Sequence, residues 1–461
     1  LAVLADVYFH PESSDGNLAQ DQARFGLALA FSDATTVRVR LVFWIGAREP
    51  SGMRSFPSAF VAACICLFLG SVSRAQEIDW KPEANMDHQL FPALIIATAS
   101  VRPVEPDDQE AEKPDPYLLG ERFGLVGVSV KAPAENAKVK VTIKENDLMA
   151  AASWSGELAE VDKDYFIAPK VNYKFEKLRQ MTQQVPLNIT FEVEVNGESA
   201  GEKHETLQVR SINDCPFGVA NSEETLNDEN YIAGNAALGW MFAAYVNENH
   251  PMLDKILQEA LETKIVGAFR VTTHEHDETL KQVFALWSAL QKRGLQYSST
   301  TTTPGGSEIV QSQYVRFIDQ SLTNTQANCV DGSVLFASLL RKISIEPFLV
   351  TIPGHMYVGF YLGAGKSQFI GLETTVLGLP DVADEKKPGD PAALTALRDK
   401  LDATVRARRD WRTFAKAIQT GTEDLTRNKE KINAGDPTYQ WIDLAEARAQ
   451  GIMPISYSAA R

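Results

Sequence analysis

Between residues 326 and 375 the chain passes from a helical period into three short strand-like runs, and this succession constrains the fold more than any other stretch. In Gln326-Ala-Asn-Cys-Val-Asp-Gly-Ser-Val-Leu-Phe-Ala-Ser-Leu-Leu-Arg-Lys342 the apolar positions 330, 334, 335, 337, 339 and 340 repeat as one face of a helix. Asn328 and Asp331 are typical first-turn residues, so the helix is expected to start at Cys329. Pro347–Gly354 reads as a buried strand, His355–Leu362 alternates as a second, and Gln368–Thr375 follows as a third after the turn Gly363-Ala-Gly-Lys-Ser367. A turn centred on Ala364 sets His355 directly opposite Glu373, and facing Cβ atoms of an antiparallel pair lie about 5 Å apart. The expected result is an α+β core in which a cysteine-bearing helix packs on an antiparallel sheet.

The preceding sequence has a different rhythm. Leu125–Lys131, Ala137–Lys144 and Leu187–Val195 alternate apolar and polar residues and are separated by Asn-Gly and Asp/Asn turns. Period two at short spacing predicts an antiparallel β-sandwich of immunoglobulin-like size over residues 119–217, a spacer or recognition module rather than a catalytic one. Residues 76–118 are rich in proline and acid in their second half and read as an N-terminal segment and linker. From about residue 221 the period turns helical. Asn235–Val246 is one amphipathic stretch, Pro251–Leu261 a second with proline in its first turn, and Leu280–Arg293 a third stopped by Gly294. Asp390-Pro391 is expected to cap a further helix carrying Leu394, Leu397 and Leu401. Residues 218–461 are read as the second domain, and no internal repeat is visible.

A thiol at a helix start feels the positive end of the helix dipole, which favours the thiolate. On its own Cys329 reads equally well as a small buried hydrophobe. His355 and Glu373 shift that balance, because a carboxylate facing an imidazole fixes its tautomer and steadies its charged form.

With Cys329-Val-Asp331 at a helix start, Gly354-His355 opening a strand and Leu372-Glu373-Thr-Thr ending the next, the stretch from about 280 to 380 resembles the transglutaminase-like superfamily of papain-fold enzymes, in its bacterial secreted form. The resemblance implies a papain-like transglutaminase core with Cys329 as nucleophile, His355 as its base and Glu373 orienting the histidine. Two positions depart from the family's commoner pattern: Glu373 stands where Asp is more frequent, and Tyr357 where Trp is frequent. Both weaken an assignment to protein cross-linking in particular. The implied reaction is attack of Cys329 on a carboxamide or peptide carbonyl, protonation of the departing amine by His355, and release of a thioester by water or by an amine. The oxyanion would be held by the Cys329 backbone N–H, with Gln326, Gln320 and Asn328 as side-chain candidates and Tyr297 as a cleft residue; for the glutamines a plain surface role is the competing reading. A transglutaminase-like domain that has lost activity and serves binding or scaffolding is the alternative function. The partner is a protein or peptide substrate, and oligomeric state is open.

Other candidates have plainer readings. Gly363-Ala-Gly-Lys-Ser367 has Phe360 where a phosphate-binding loop needs its first glycine, so a hairpin turn is the better account. His274 and His276 could offer two imidazoles to a metal, but no third ligand is apparent, and no metal or other cofactor is expected. Asn188-Ile-Thr190 is a glycosylation sequon, relevant in a eukaryotic host. Trp240, Phe242, Tyr245, Trp287 and Tyr297 read as core aromatics rather than a substrate platform, although Tyr297 precedes the cysteine-bearing stretch and could line the cleft.

Met53-Arg54, an apolar run from Phe60 to Gly70 and Ser73-Arg74-Ala75 have the three-part layout of a secretory signal peptide over residues 53–75, with cleavage expected after Ala75. A lipobox ending at Cys64 is a weaker alternative, since the apolar stretch before that cysteine is short. Residues 1–52, upstream of Met53, are read as a spurious N-terminal extension. The run is too short to span a bilayer, so the expected mature form is secreted or periplasmic without a transmembrane segment. The formal charge of -15 disfavours binding to phosphate backbones, and the cluster Arg406, Arg408, Arg409 and Arg412 lies among acidic neighbours as a solvated helix face. Export leaves Cys215 and Cys329, whose pairing in an oxidising compartment would silence the nucleophile.

Overall fold

Strands whose side chains alternate between apolar and polar can bury one face only, and they do so here in two sheets. A computed structural model describes residues 78–101, 115–121, 124–219, 236–270, 275–299, 307, 309–363, 365–380 and 382–455. In the first half, β1 (Trp80–Ala84), β2 (Gln89–Leu90), β3 (Leu118–Gly120), β4 (Val126–Lys131), β5 (Ala137–Ile143), β6 (Ala152–Leu158), β7 (Asp164–Ala168), β8 (Val185–Val195) and β9 (Glu198–Val209) form a sheet of order β1-β4-β7-β3 and another of order β2-β9-β8-β5-β6. Ala137, Val139, Val141 and Ile143 of β5 are buried while Lys138 and Lys140 between them are exposed, and Ile189, Phe191, Val193 and Val195 repeat the pattern on β8. Val126, Val128 and Val130 of β4 belong to the same apolar cluster.

Two expectations change here. The pairing is mixed rather than antiparallel throughout, because β3 runs parallel to β7 and β2 parallel to β9. The sheets also begin before residue 119. Trp80 pairs opposite Val130, is 2% exposed, and donates its indole N–H to the carbonyl of Ala200 at 2.9 Å. The segment read as a linker therefore supplies β1, β2, the turn α1 (Asn85–His88) and the helix α2 (Pro92–Thr98). A further short helix, α3 (Phe175–Arg179), precedes β8.

In the second half, β10 (Asp214–Val219) pairs with β11 (Ala236–Ala237) and, antiparallel, with β13 (Val310–Tyr314), while β12 (Gln296–Tyr297) runs parallel to β14 (Gln326–Ala327). The stretch read as one helix over 235–246 is instead a 3-10 run, Gly239–Tyr245, with Met241, Phe242 and Tyr245 buried. Helix α4 (Pro251–Glu262) starts on Pro251 with the His250 ring accepting from Met252 N, and α5 (His276–Lys292) buries Leu280, Phe284 and Trp287 before Gly294 takes a φ of 79°. Next come α6 (Ile318–Asn324), α7 (Cys329–Lys342), β15 (Pro347–Ile352), β16 (His355–Tyr361), β17 (Phe369–Leu372), α8 (Ala392–Lys400), α9 (Ala403–Arg406), α10 (Arg409–Asn433), β18 (Gln440–Asp443) and α11 (Leu444–Ala449).

The sheet β17-β16-β15-β18 is antiparallel throughout. Helix α7 packs against β15 and β16, and Met356, Val358 and Phe360 join the main core. Phe348, Val350 and Tyr357 join a second cluster with Leu425 and Ile432 of α10. The sheet is thus covered on both faces, and the chain as described is mixed α+β. Among the described residues no helix is long and apolar enough to cross a membrane. The arginine cluster is not simply solvated: Arg408 pairs with Asp410 and reaches Ser288, and Arg409 donates to the carbonyls of Gly378 and Leu379. Alternate carbonyls and acids within reach drew these guanidinium groups in, which residue type alone does not reveal.

Candidate active site

The first turn of α7 is fixed by a reciprocal cap. Asn328 Oδ1 accepts from Asp331 N at 2.8 Å, and Asp331 Oδ2 accepts from Asn328 N at 3.0 Å. Asp331 also receives Arg316 N at 2.8 Å and Arg316 Nη1 at 2.7 Å, and it is 1% exposed. Burial pushes its carboxyl above the usual range, with those hydrogen bonds pulling the other way. Cys329 follows at the first helical position, half-buried and free. Its backbone N–H is one of the first-turn donors that an α-helix leaves without an internal acceptor.

His355 is the first residue of β16, directly after Gly354, whose φ of 69° suits the tight turn from β15. Its Nε2 lies 2.7 Å from Glu373 Oε2, and the Cys329 side chain is a second hydrogen-bond partner of the ring. With Nε2 committed to the carboxylate, Nδ1 is the nitrogen left to exchange a proton with the sulfur. Burial disfavours the charged ring, but the bonds to Cys329 and Glu373 and their charges outweigh it and raise the His355 pKa to about 10. Burial likewise pushes Glu373 up, yet His355 and Thr375 hold its carboxyl below the ordinary glutamate value.

Glu373 is held from every side. Its Oε1 accepts from Thr375 N at 2.9 Å and Thr375 Oγ1 at 2.6 Å, and its own N–H donates to the Ala417 carbonyl of α10 at 3.0 Å. The following turn, Thr374–Val376, sits against α7: a Cβ at Gly332 would lie 2.7 Å from Thr374 Oγ1. That glycine lets the acid-bearing turn approach the helix that carries the cysteine.

The contact between His355 and Glu373 does not arise from the direct pairing expected of a turn centred on Ala364, a residue outside those described. Leu372 faces Val358 and Phe369 faces Tyr361, and Leu362 N closes the loop on Gln368 O at 2.9 Å. The loop between Leu362 and Gln368 has the length of the expected turn but is centred on Gly365, one residue later than supposed, with Lys366 at a φ of 52°, so the register moves by two residues. A shift of two keeps side chains on their face, so Glu373 meets His355 as a diagonal neighbour just beyond the last pair of the ladder.

The remaining candidates divide. Tyr297 pairs with Ala327 across the parallel ladder, is 47% exposed, and has a phenol pushed up by burial and by the charges of Cys329 and Glu373. Gln326 is exposed on β14. Gln320 Oε1 accepts from Phe317 N at 2.9 Å and from Asn213 Nδ2 at 2.8 Å, so that carbonyl braces α6. Asn328 Oδ1 is occupied by its cap. Cys215 is buried and free, and no Cys215–Cys329 bond is present. His274, the signal-like segment 53–75 and most of 298–308 lie outside the described residues. Among the described residues no group of three or more His, Cys, Asp or Glu is placed to hold a metal ion. An open depression of about 660 Å³ lined by Val382, Ala383, Asp384, Arg406, Ala407 and Arg412 includes none of Cys329, His355 and Glu373. Sequence reasoning missed Thr375, Asp331 as a buried hub with Arg316, and Asp424 of α10, whose charge is coupled to both His355 and Glu373. Only Asp331 had a readable signal, the Asn-x-x-Asp spacing of a capping box.

Comparison with protein-family models, with curated proteins and with solved structures finds no match for this chain.

Proposed function

We propose that this chain is an exported, cysteine-dependent acyl-transfer enzyme that acts on amide or peptide bonds through a thioester, built on a papain-like, transglutaminase-type core that follows an immunoglobulin-like β-sandwich. The observation that carries this reading is the group of side chains Cys329, His355 and Glu373, in which the buried Glu373 carboxylate lies 2.7 Å from His355 Nε2 and Cys329 is the ring's other side-chain partner. Sulfur adds to the carbonyl carbon, and the carbonyl π pair moves onto oxygen beside the Cys329 backbone N–H. The imidazolium of His355 then gives its proton to the leaving nitrogen as the carbon–nitrogen bond breaks, and Glu373 keeps the ring oriented and its charge balanced throughout. Water or an amine releases the acyl group by the reverse proton path. Export rests on the three-part signal over residues 53–75.

The test is labelling with a peptide chloroacetamide in reducing buffer at neutral pH. Cys329 is expected to react, Cys215 to stay unlabelled because it is buried, and His355→Ala to slow labelling by on the order of 100-fold, the usual contribution of a positioned base. Labelling of Cys329 that is indifferent to His355 would leave a binding domain without chemistry.

A further inference from the structure

We propose that the depression beside the start of α10 is a carboxylate-binding site that receives an acidic side chain of the peptide substrate; the choice of a peptide rests on the acyl-transfer reading above. Val382, Ala383 and Ala407 supply apolar wall, Arg406 and Arg412 supply two guanidinium groups, and Asp384 supplies an acid, around a volume of about 660 Å³. Ligand pockets hold about 300–1,000 Å³, more than a lone inorganic anion fills. On a chain of formal charge -15 the local balance is reversed. Asp384 Oδ1 already accepts from Arg398 at 3.2 Å, and Asp410 is paired with Arg408. Asp402 is a charge neighbour of Arg406, but its Oδ1 accepts from Thr404 N at 2.8 Å and Val405 N at 3.1 Å as the cap of α9.

Arg406 is the residue that points to a ligand. Its Nε is buried and has no acceptor among the described residues. Its neighbours are engaged: Arg408 reaches Asp410, Arg409 holds the carbonyls of Gly378 and Leu379, and Arg412 turns Nη1 onto the Ala407 carbonyl. A guanidinium N–H taken out of water without an acceptor destabilises the fold, and a planar carboxylate matches the guanidinium's fork of donors. Such a loss of stability persists where a ligand needs the group. The bond from Arg412 to Ala407 ties α10 to the turn that carries Arg406, which brings both guanidinium groups to one depression. The lining also connects to the thiol. From Glu373 the chain runs through the turn Thr374–Val376 to Leu379, whose carbonyl Arg409 holds, and on to Val382. Gly378 of this stretch abuts β12, where a Cβ would lie 3.0 Å from Gln296 Cα. Extended chain covers at most about 3.6 Å per residue, so the stretch from Glu373 to Val382 spans no more than about 30 Å, and a peptide of about a dozen residues is long enough to run beside it.

The experiment measures, by fluorescence anisotropy at fixed ionic strength, the binding to the full chain of dodecapeptides that carry three glutamates toward one end or the other, and of their glutamine counterparts. The better glutamate peptide is expected to bind about 10-fold tighter than its counterpart, the gain of one charge-assisted pair. Arg406→Met should abolish the difference, and Arg406→Lys should keep part of it. Without ligand, Arg406→Met should melt at or above the wild-type temperature, because it removes a buried donor that lacks an acceptor, whereas loss of a structural arginine would lower it. Equal or undetectable binding of the glutamate and glutamine peptides, a preference that survives Arg406→Met, or a clear fall in the melting temperature of Arg406→Met each overturn the inference. Equal peptide binding together with a rise in melting temperature in sodium phosphate that Arg406→Met abolishes assigns the depression to a free anion and overturns the peptide. An Arg406-dependent glutamate preference in a protein whose Cys329 labelling is indifferent to His355 supports the site and overturns the acyl-transfer reading alone.

Discussion

Glu373 has two oxygens and two separate tasks: Oε2 faces His355 at 2.7 Å, and Oε1 is bound twice by Thr375. Cys329, His355 and Glu373 were legible in the sequence because their chemistry is rare at a helix start and at strand ends. Thr375 was not, because nothing in a Thr-Thr pair says which hydroxyl turns back on a carboxylate. Thr375→Val keeps the shape and removes one hydrogen bond to a charged group, worth roughly 1.5–3 kcal/mol. The expected outcome is a lower affinity of Glu373 for its place, a His355 ring that titrates below its present value, and a labelling rate of Cys329 that falls several-fold; an unchanged imidazole titration by NMR counts against the bracing role. The pair also makes stability depend on pH. His355 is raised from 6.5 to about 10, so its contribution is complete below about 6.5 and is lost as pH climbs through 10. Glu373 is lowered, so its contribution is present above the ordinary glutamate value and is lost as pH falls. Thermal melts of wild type and His355→Ala should therefore differ most between about pH 5 and 6.5 and converge toward pH 10. A difference that is flat from pH 6 to 10 would contradict the assignment.

Among the elements, β17 and α10 meet through a pair of glycines. A Cβ on Gly421 would lie 2.5 Å from Gly371 C and Leu372 N and 2.9 Å from Glu373 N, all backbone atoms that cannot swing aside. The same turn of α10 offers Ala417 O to the Glu373 N–H, so the helix seats the strand that leads into Glu373. Gly421→Ala is expected to push β17 off α10, costing roughly 1–3 kcal/mol by overpacking and slowing Cys329 labelling more than a surface substitution of equal stability cost. Denaturant melts and labelling rates measured together decide it, and a variant as stable and as fast as wild type removes α10 from the support of the site. At this scale alternation carried β5 and β8, and helical period carried α5 and α7. The parallel pairs and the glycine contact were not legible, because both join residues distant in sequence. Nor was β1, whose Trp80-Lys-Pro-Glu-Ala has no clear alternation and becomes a strand only because β4 offers it an edge.

Across the whole molecule, the two halves meet at a strand with buried polar ties rather than at a free hinge. Strand β10 follows β9 after a short turn and pairs with β13. Just before it, Asn213 Nδ2 donates to Val315 O at 2.7 Å and to Gln320 Oε1 at 2.8 Å, and Asn213 O accepts from Val315 N at 2.8 Å. Tyr245 closes the other side by donating to Ile212 O at 2.9 Å, while Arg210 and Asp214 form an ion pair 1% and 3% exposed in their side chains. The chain's last described residues return to the start, with Met453 N on Ala97 O at 3.2 Å, and one apolar cluster runs from Trp80 to Ile455. A contiguous core of this kind predicts that both halves unfold in one transition. Asn213→Ala tests the junction: it removes both bonds donated by Nδ2 and leaves the buried Val315 carbonyl without that donor, while Gln320 Oε1 keeps Phe317 N, at a cost of roughly 1–3 kcal/mol. The whole transition should move to lower temperature, with amides of β8 and α7 losing exchange protection together, because unfolding of either half exposes the core of the other. Two separate calorimetric peaks, or protection lost around α7 alone, would show that the sheets of the first half stand independently and that Gln320 braces only the half that carries the thiol.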